Sequence, residues 1–396
     1  MSEWLTSTLL AASERVDYGF TASSTNEPIG PRFLRITDID GSHVDWASVP
    51  FCIANATEES KYALANHDIV VARTGASTGR SQWIKLTEPS LFASYLVRFR
   101  IRPEFDSRFV SYVLQTRDWH DHVDSVAFGK SAQPNMSAGA MSEFRFKHPR
   151  HAEQQSIAEV LGALDDKIAA NTALAAKADE LASTAYDALT ASWPRLPMSE
   201  VLTPVLGGTP PRAREEHWEA GTNLWISARD ITSALSHVVL DTAEKITRAA
   251  IVETKAKPLP AGSVILTARG TVGEVARLAR PASFNQSCYG FRPDPVPPGL
   301  LYFSVLRATQ HAKAIAHGSV FDTITKSTFD HLSLAWDPQS AVRVESAIAP
   351  PLALVAGVLE ENRTLAATRD MLLPQLMSGK LRVRDAGQHS PSSLAT

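Results

Sequence analysis

Asp68-Ile69-Val70-Val71-Ala72-Arg73-Thr74-Gly75 returns in the second half of the chain as Ser263-Val264-Ile265-Leu266-Thr267-Ala268-Arg269-Gly270. Each copy is a short apolar run closed by a polar, glycine-bearing turn, the pattern of a strand leading into a loop. Further echoes follow in the same order, at separations of roughly 191–195 positions. Leu34-Arg35-Ile36-Thr37-Asp38-Ile39 is repeated by Trp225-Ile226-Ser227-Ala228-Arg229-Asp230-Ile231, and a helical stretch centred on Asn171 by one around Asn362. A period near half of 396 residues is too long for a solenoid. It predicts an α+β protein with internal pseudo-two-fold duplication: two similar mixed α/β domains, separated by two long helices.

Residues 1–150 read as the first mixed domain, with β-like runs at Asp68–Arg73 and Ser94–Ile101 and a helical piece near Phe109–His122. Over 151–193 the texture turns to Ala, Leu, Glu and Lys, all good helix formers. With Ile157 at heptad position a, the a sites are Ile157, Leu164, Asn171, Ala178 and Ala185. The d sites are then Val160, Lys167, Leu174, Leu181 and Ala188, and the e sites Leu161, Ile168, Ala175, Ala182 and Leu189. That broad stripe suits packing on a second long helix. A second mixed domain spans 194–342 and a second long helix 343–385, where Pro350-Pro351 suits a first turn and Pro374 and Gly379 mark the end. The polar tail, 386–396, is expected to be disordered. Asn171 and Asn362 share an a position near mid-helix. In an antiparallel coiled-coil pair they should meet, as a register device.

Hydrophobic content of 44% and charged content of 20% describe an ordinary globular chain. No signal-peptide pattern or run of about 18 apolar residues stands out, so a cytoplasmic location and no membrane partner are expected. Cys52 and Cys288 lie far apart and outside any metal-ligand spacing, as reduced thiols would. The formal net charge of −3 counts against non-specific coating of nucleic acid, yet leaves room for local basic loops.

Catalytic constellations are missing from the sequence. It holds no phosphate-binding Gly-x-x-x-x-Gly-Lys-Ser/Thr, no Gly-x-Ser-x-Gly elbow and no His-Glu-x-x-His pair. Gly207-Gly208-Thr209-Pro210 is glycine-rich, but its proline removes an amide that a phosphate cradle would use. Asp165-Asp166, adjacent on a helix, point about 100° apart and form no catalytic dyad. The expected inventory is therefore no catalytic residue, no metal site and no cofactor.

What remains is a set of polar loops matched between the halves. Arg73-Thr74-Gly75-Ala76-Ser77-Thr78-Gly79-Arg80 is countered by Arg269-Gly270-Thr271-Val272-Gly273. Lys130, Gln133 and Asn135 lie in one later loop, Lys326 in its counterpart, and Asn285-Gln286 in a further turn. Turns collect such residues anyway. Their recurrence in both halves points instead to recognition, because Arg pairs with guanine and Asn or Gln with adenine through two hydrogen bonds. Duplex DNA is the natural ligand for a two-fold arrangement. The candidate DNA-binding residues are Arg73, Ser77, Thr78, Arg80, Lys130, Gln133, Asn135, Arg269, Thr271, Asn285, Gln286 and Lys326.

In this order the motifs resemble the specificity (S) subunit of Type I restriction-modification enzymes. Glu153-Gln154-Gln155-Ser156-Ile157-Ala158-Glu159-Val160-Leu161 is similar to that family's central helix, and Gly207-Gly208-Thr209-Pro210 to the opening of a target recognition domain. Thr271-Val272-Gly273 with Phe284-Asn285-Gln286-Ser287-Cys288, and Leu372-Leu373-Pro374-Gln375-Leu376-Met377-Ser378-Gly379, complete the resemblance. Two departures stand out. The first domain has Thr25-Asn26-Glu27-Pro28-Ile29-Gly30 in place of a Gly-Thr-Pro opening, and the second helix starts Val344-Glu345-Ser346 and carries Arg369 at a core position.

The resemblance implies two target recognition domains, each reading half of a bipartite DNA sequence. It implies helices that space them and dock methyltransferase (M) subunits, two of them, with restriction/motor (R) subunits joining through the complex. S-adenosylmethionine, ATP and Mg would then belong to the partners. A helix of about 33 residues is roughly 50 Å long, enough to set the domains about one duplex turn apart. The competing expectations are a coiled-coil scaffold binding only protein, and a self-contained nuclease.

Overall fold

The structure, a computed structural model, describes residues 4–39, 43–127, 134–315 and 323–383. Its contacts divide the chain into two compact units, residues 1–169 with 364–396, and residues 170–363.

In the first unit, β1 (Leu5–Thr8) pairs with β8 (Arg145–His148), and β3 (Arg32–Leu34) runs parallel to β6 (Ser90–Phe92). The main antiparallel sheet has β2 (Ser13–Tyr18), β7 (Leu96–Ile101), β4 (Ile69–Ala72) and β5 (Ser81–Trp83) in the order β2-β7-β4-β5. All four residues of β4 are buried, which is why its sequence shows no polar alternation. Ile69 and Val71 face a core with Phe99, Phe109, Trp119 and Leu161, while Val70 and Ala72 face another with Leu34, Phe92 and Leu96. Such a side chain contributes about 1.5–3 kcal/mol when fully buried, so this strand anchors both layers. The expected helical piece is two helices, Ser107–Val113 and Arg117–Ala127.

The second unit repeats the topology. Here β9 (Arg195–Pro197) pairs with β18 (Ser333–Ala335), and β11 (Asn223–Ile226) runs parallel to β16 (Ala282–Phe284). Strands β10 (Val205–Leu206), β17 (Cys288–Phe291), β14 (Val264–Thr267) and β15 (Val275–Leu278) take the places of β2, β7, β4 and β5. Edge strands β12 (Val238–Val239) and β13 (Glu244–Ile246) are additions of this unit. The echo first read at Leu34 and Trp225 is a shared turn: the Asp38 carboxylate accepts from Arg35 N at 2.7 Å, and that of Asp230 from Ser227 N at 2.8 Å.

The long helices are His151–Thr190 and Ala341–Met377. Within each unit they run in opposite order: in the second, Asn171 bonds Asn362 while Tyr186 shares a core with Ile348, and in the first, Asp165 bonds Arg369 while Leu161 shares a core with Leu376. On the first helix the buried stripe follows positions a and e, because Ile157, Leu161, Ile168, Asn171, Ala175, Ala178 and Ala182 are buried. Leu174 and Leu181, assigned to d, are 44% and 64% exposed. The alanine-rich sequence concealed this rotation of the packing face.

Pro350-Pro351 do not open the second helix. It begins at Ala341, nucleated by Asp337, which accepts from Gln339 N at 3.0 Å and Ser340 Oγ at 2.6 Å. Burial of Ala341, Val344, Ile348 and Leu352 in the core of the second unit holds the helix through both prolines. Pro374 is likewise inside the helix, and Gly379, at φ 70°, follows its end. One window of this helix has a mean hydropathy of 1.5, long and apolar enough by composition to cross a membrane. Its apolar residues Ile348, Leu352, Val355, Val358 and Leu359 are nonetheless buried in the protein's own cores. The 386–396 tail lies outside the described residues.

Candidate nucleic-acid interface

Each central strand runs directly into its polar loop. After β4, Gly75 and Gly79 adopt φ of 73° and 87°; after β14, Gly270 and Gly273 adopt 77° and 81°. These left-handed conformations are what glycine permits at little cost. Space differs within each pair: a Cβ on Gly75 or Gly270 would meet nothing within 4 Å, whereas one on Gly79 would strike Val123 at 2.6 Å. The first glycine thus keeps the backbone open to a ligand, and the second packs the loop onto a helix.

Both loops hang from the same backbone anchors. Arg73 N donates to Tyr95 O at 3.0 Å, and Arg73 O accepts from Met136 N at 2.9 Å. Ala268 N donates to Ser287 O at 2.7 Å, and Ala268 O accepts from Ile324 N at 2.9 Å. Each unit therefore gathers three segments: the loop after the central strand, the turn before β7 or β17, and the stretch beginning at Asn135 or Thr323.

In the first unit this brings together Arg73, Ser77, Thr78 and Asn135, with Arg80 exposed at the loop's end. Arg73 Nη2 donates to Asn135 Oδ1 at 3.3 Å, and the guanidinium lies 4.8 Å from the centroid of the Tyr18 ring. Tyr18 is fixed in turn, its hydroxyl accepting from Ala138 N at 2.9 Å. Thr78 has a structural role here, since its hydroxyl donates to Gly75 O at 2.7 Å. Lys130 and Gln133 lie outside the described residues.

In the second unit Arg269, Thr271, Gln286 and Lys326 are exposed around the corresponding segments. Asn285 is more constrained: its Oδ1 holds the turn by accepting from Ser287 N at 3.0 Å.

Two features escaped sequence reasoning. The Phe284-Asn285-Gln286-Ser287 turn has a counterpart in Phe92-Ala93-Ser94-Tyr95, which projects Tyr95, 58% exposed, beside Arg73. A lone aromatic at a strand end or in a turn gives no sequence signal, so Tyr18 and Tyr95 passed unnoticed. The structural equivalent of Gly207-Gly208-Thr209 is also Gly19-Phe20-Thr21, not Thr25–Gly30. Phe20 N donates to Phe92 O at 2.8 Å as Gly208 N does to Phe284 O at 2.9 Å. A Cβ on Gly19 or Gly207 would fall 2.4 or 2.5 Å from those same Phe92 and Phe284 carbonyl oxygens.

The long helices carry polar groups toward their own units. In the first unit Asp165 accepts from Tyr112 Oη at 2.5 Å and Arg369 Nη1 at 2.9 Å, which accounts for Arg369 at a core position. Arg108 forks onto Asp166 at 2.9 Å, and this hydrogen bonding holds the Asp166 carboxyl below its ordinary value. Gln154 Oε1 accepts from Asp106 N at 3.0 Å at the start of one domain helix. Glu345 does the same for Gly299 N and Leu300 N at 3.0 and 2.8 Å. Glu345 thereby supplies the contact that the missing Glu-Gln-Gln start would have made. Both cysteines are free and buried, and burial pushes Cys52 up to about 11 and Cys288 up to about 12, leaving inert thiols.

The chain is thus an internally duplicated fold, each copy carrying one set of surface loops and part of both long helices. The sequence profile of the Type I restriction modification DNA specificity domain matches residues 44–179 and 196–335, and the chain belongs to that family. The specificity subunit of the Type I restriction enzyme MjaIX from Methanocaldococcus jannaschii is 26% identical over 163 residues, 40% of this chain. The matched stretch spans 37% of the length of that relative. A crystal structure of the Type-I restriction-modification system S subunit from M. genitalium has the same fold, with a TM-score of 0.61. Its sequence identity is 14%, with 95% of this chain and 96% of that one covered.

Proposed function

We propose that the chain is the DNA-sequence-recognition subunit of a Type I restriction-modification complex and is not itself catalytic. The observation that carries this reading is that two loop sets share backbone anchors yet differ in side chains. Arg73, Tyr95 and Asn135 stand where Ala268, Ser287 and Thr323 stand in the other unit. One architecture then presents two different surfaces, as a bipartite target with two unlike half-sites requires. Backbone amides, Thr and Lys side chains would hold phosphates and position the duplex, and Arg, Asn and Gln would read base edges.

In this reading the long helices space the half-sites and dock methyltransferase subunits, two per chain, and restriction/motor subunits join through them in the cytoplasm. S-adenosylmethionine, ATP and Mg act on those partners. The test is exchange of residues 1–150 for the equivalent from a relative, in complex with methyltransferase subunits, followed by mapping of methylated sites. One altered half-site is the expected result. Change in both half-sites, or in neither, would overturn the assignment of one half-site per domain. A complex without sequence preference or steep salt dependence would mark a protein-binding scaffold instead.

A further inference from the structure

We propose that Arg73 is a specificity-determining residue that reads a guanine in the half-site of the first unit, with Asn135 and Tyr18 as its positioning residues. This rests on the DNA-recognition reading above and names a base that it leaves open. Arg73 is set apart by combining a restrained guanidinium with the lack of a carboxylate partner among the described residues. Arg15, Arg32, Arg35, Arg98, Arg100 and Arg108 each pair with an acidic side chain, but Arg73 has none among the described residues. Its positive charge is left for a ligand.

The guanidinium is held by two contacts. Tyr18 lies under it, with the centroid at 4.8 Å, and the Tyr18 hydroxyl is itself tied to Ala138 N at 2.9 Å. Asn135 Oδ1 accepts from Nη2 at 3.3 Å on the exposed side, while Nε is buried without a hydrogen-bond partner. The Nη end of the fork is therefore the part that a ligand meets. A phosphate contact needs charge and tolerates a mobile side chain. A fork whose plane is set in advance matches the paired O6 and N7 acceptors of guanine in the major groove, with the side-chain entropy already surrendered. Tyr95, whose carbonyl accepts from Arg73 N, is exposed in the same segment cluster.

The second unit cannot use this contact. Ala268 occupies the place of Arg73, Leu206 that of Tyr18 and Ser287 that of Tyr95 on the shared scaffold. The inference thus predicts a guanine requirement in one half-site that the other lacks by this mechanism.

The full chain is coexpressed with its methyltransferase partner, and methylated sites are mapped genome-wide for wild type, R73A, R73K and N135A. Wild type should give a bipartite motif. R73A should relax one G·C position in one half-site, with discrimination there falling about 10- to 100-fold, the range of a bidentate arginine–guanine pair. R73K keeps the charge and should relax the same position; N135A should relax it partly. The unaffected half-site serves as the folding control. Uniform loss at all sites with an unchanged motif would make Arg73 a phosphate contact and overturn the inference. So would relaxation at an A·T position, or no change. If wild type itself methylates without a bipartite motif, the broader reading falls, and this inference with it.

Discussion

Replacing Asn171 by alanine removes an amide that links the two long helices inside the second unit. Asn171 is 2% exposed, and its Nδ2 donates to Asn362 Oδ1 at 2.9 Å and to Glu361 Oε2 at 2.8 Å. Asn362 Nδ2 in turn donates to Thr172 Oγ1 at 3.2 Å. A neutral hydrogen bond contributes about 1 kcal/mol net, and one to a charged group about 1.5–3 kcal/mol. Glu361 is exposed and Asn362 half-buried, so water recovers part of what alanine deletes. N171A should therefore lose about 1–3 kcal/mol. For a unit of nearly two hundred residues each kcal/mol lowers Tm by roughly 2–4 °C.

The double-mutant cycle with N362A isolates the pair, with an expected coupling of at least about 0.5 kcal/mol. N171L/N362L removes both polar partners together and should be neutral or stabilising, at a cost in register specificity. Equilibrium urea unfolding, followed by circular dichroism and tryptophan fluorescence, measures all four variants. A coupling within about 0.3 kcal/mol of zero would refute the idea that the amide pair fixes the register.

Other expectations follow from the same structure. R369A strips Asp165 of its ion pair, leaving only the Tyr112 hydroxyl; with both side chains about four-fifths buried, a loss of about 1–3 kcal/mol is expected by urea unfolding. G207A places a methyl group 2.1 Å from Asn285 O, and a loss of at least about 2 kcal/mol in thermal unfolding should result, whereas G139A, with open surroundings, should be near neutral. Asp166 is held below its ordinary value of 3.8 by Arg108, so its contribution is present above that value and disappears as pH falls through the lower folded one. D166N should remove this acid-side increment from the pH–stability curve, a small one because the carboxylate is 55% exposed.

The central strands were legible because a run of three or four apolar residues closed by a glycine turn has few other readings. The asparagines at equivalent heptad positions were legible as well, since a polar residue interrupting an apolar stripe stands out. What misled was local grammar overruled by packing. Prolines mark a helix start only until Ile348 and Leu352 are buried around them. Leucine outranks alanine as a core residue, yet Leu174 and Leu181 are exposed while Ala175 and Ala182 are buried, because closely packed helices favour the small side chain. Among the candidate contacts, sequence could nominate Arg73 and Asn135 but not the Tyr18 ring that lies against the Arg73 guanidinium. That proximity arises only when β2 and the segment after the Arg73 loop are folded together.

The main-chain hydrogen bonds shared by the two loops separate what each loop is from where it is. Arg73 and Ala268 occupy the same hydrogen-bonded position through their N and O atoms, although Arg73 is half-buried and Ala268 is packed into the core of its unit. The fold thus holds both loops in the same place while the side chains at their projecting positions differ between the copies. On the proposed reading, a duplicated fold of this design could drift in recognition without drifting in shape. New targets can arise one half at a time, from point changes at a few projecting positions.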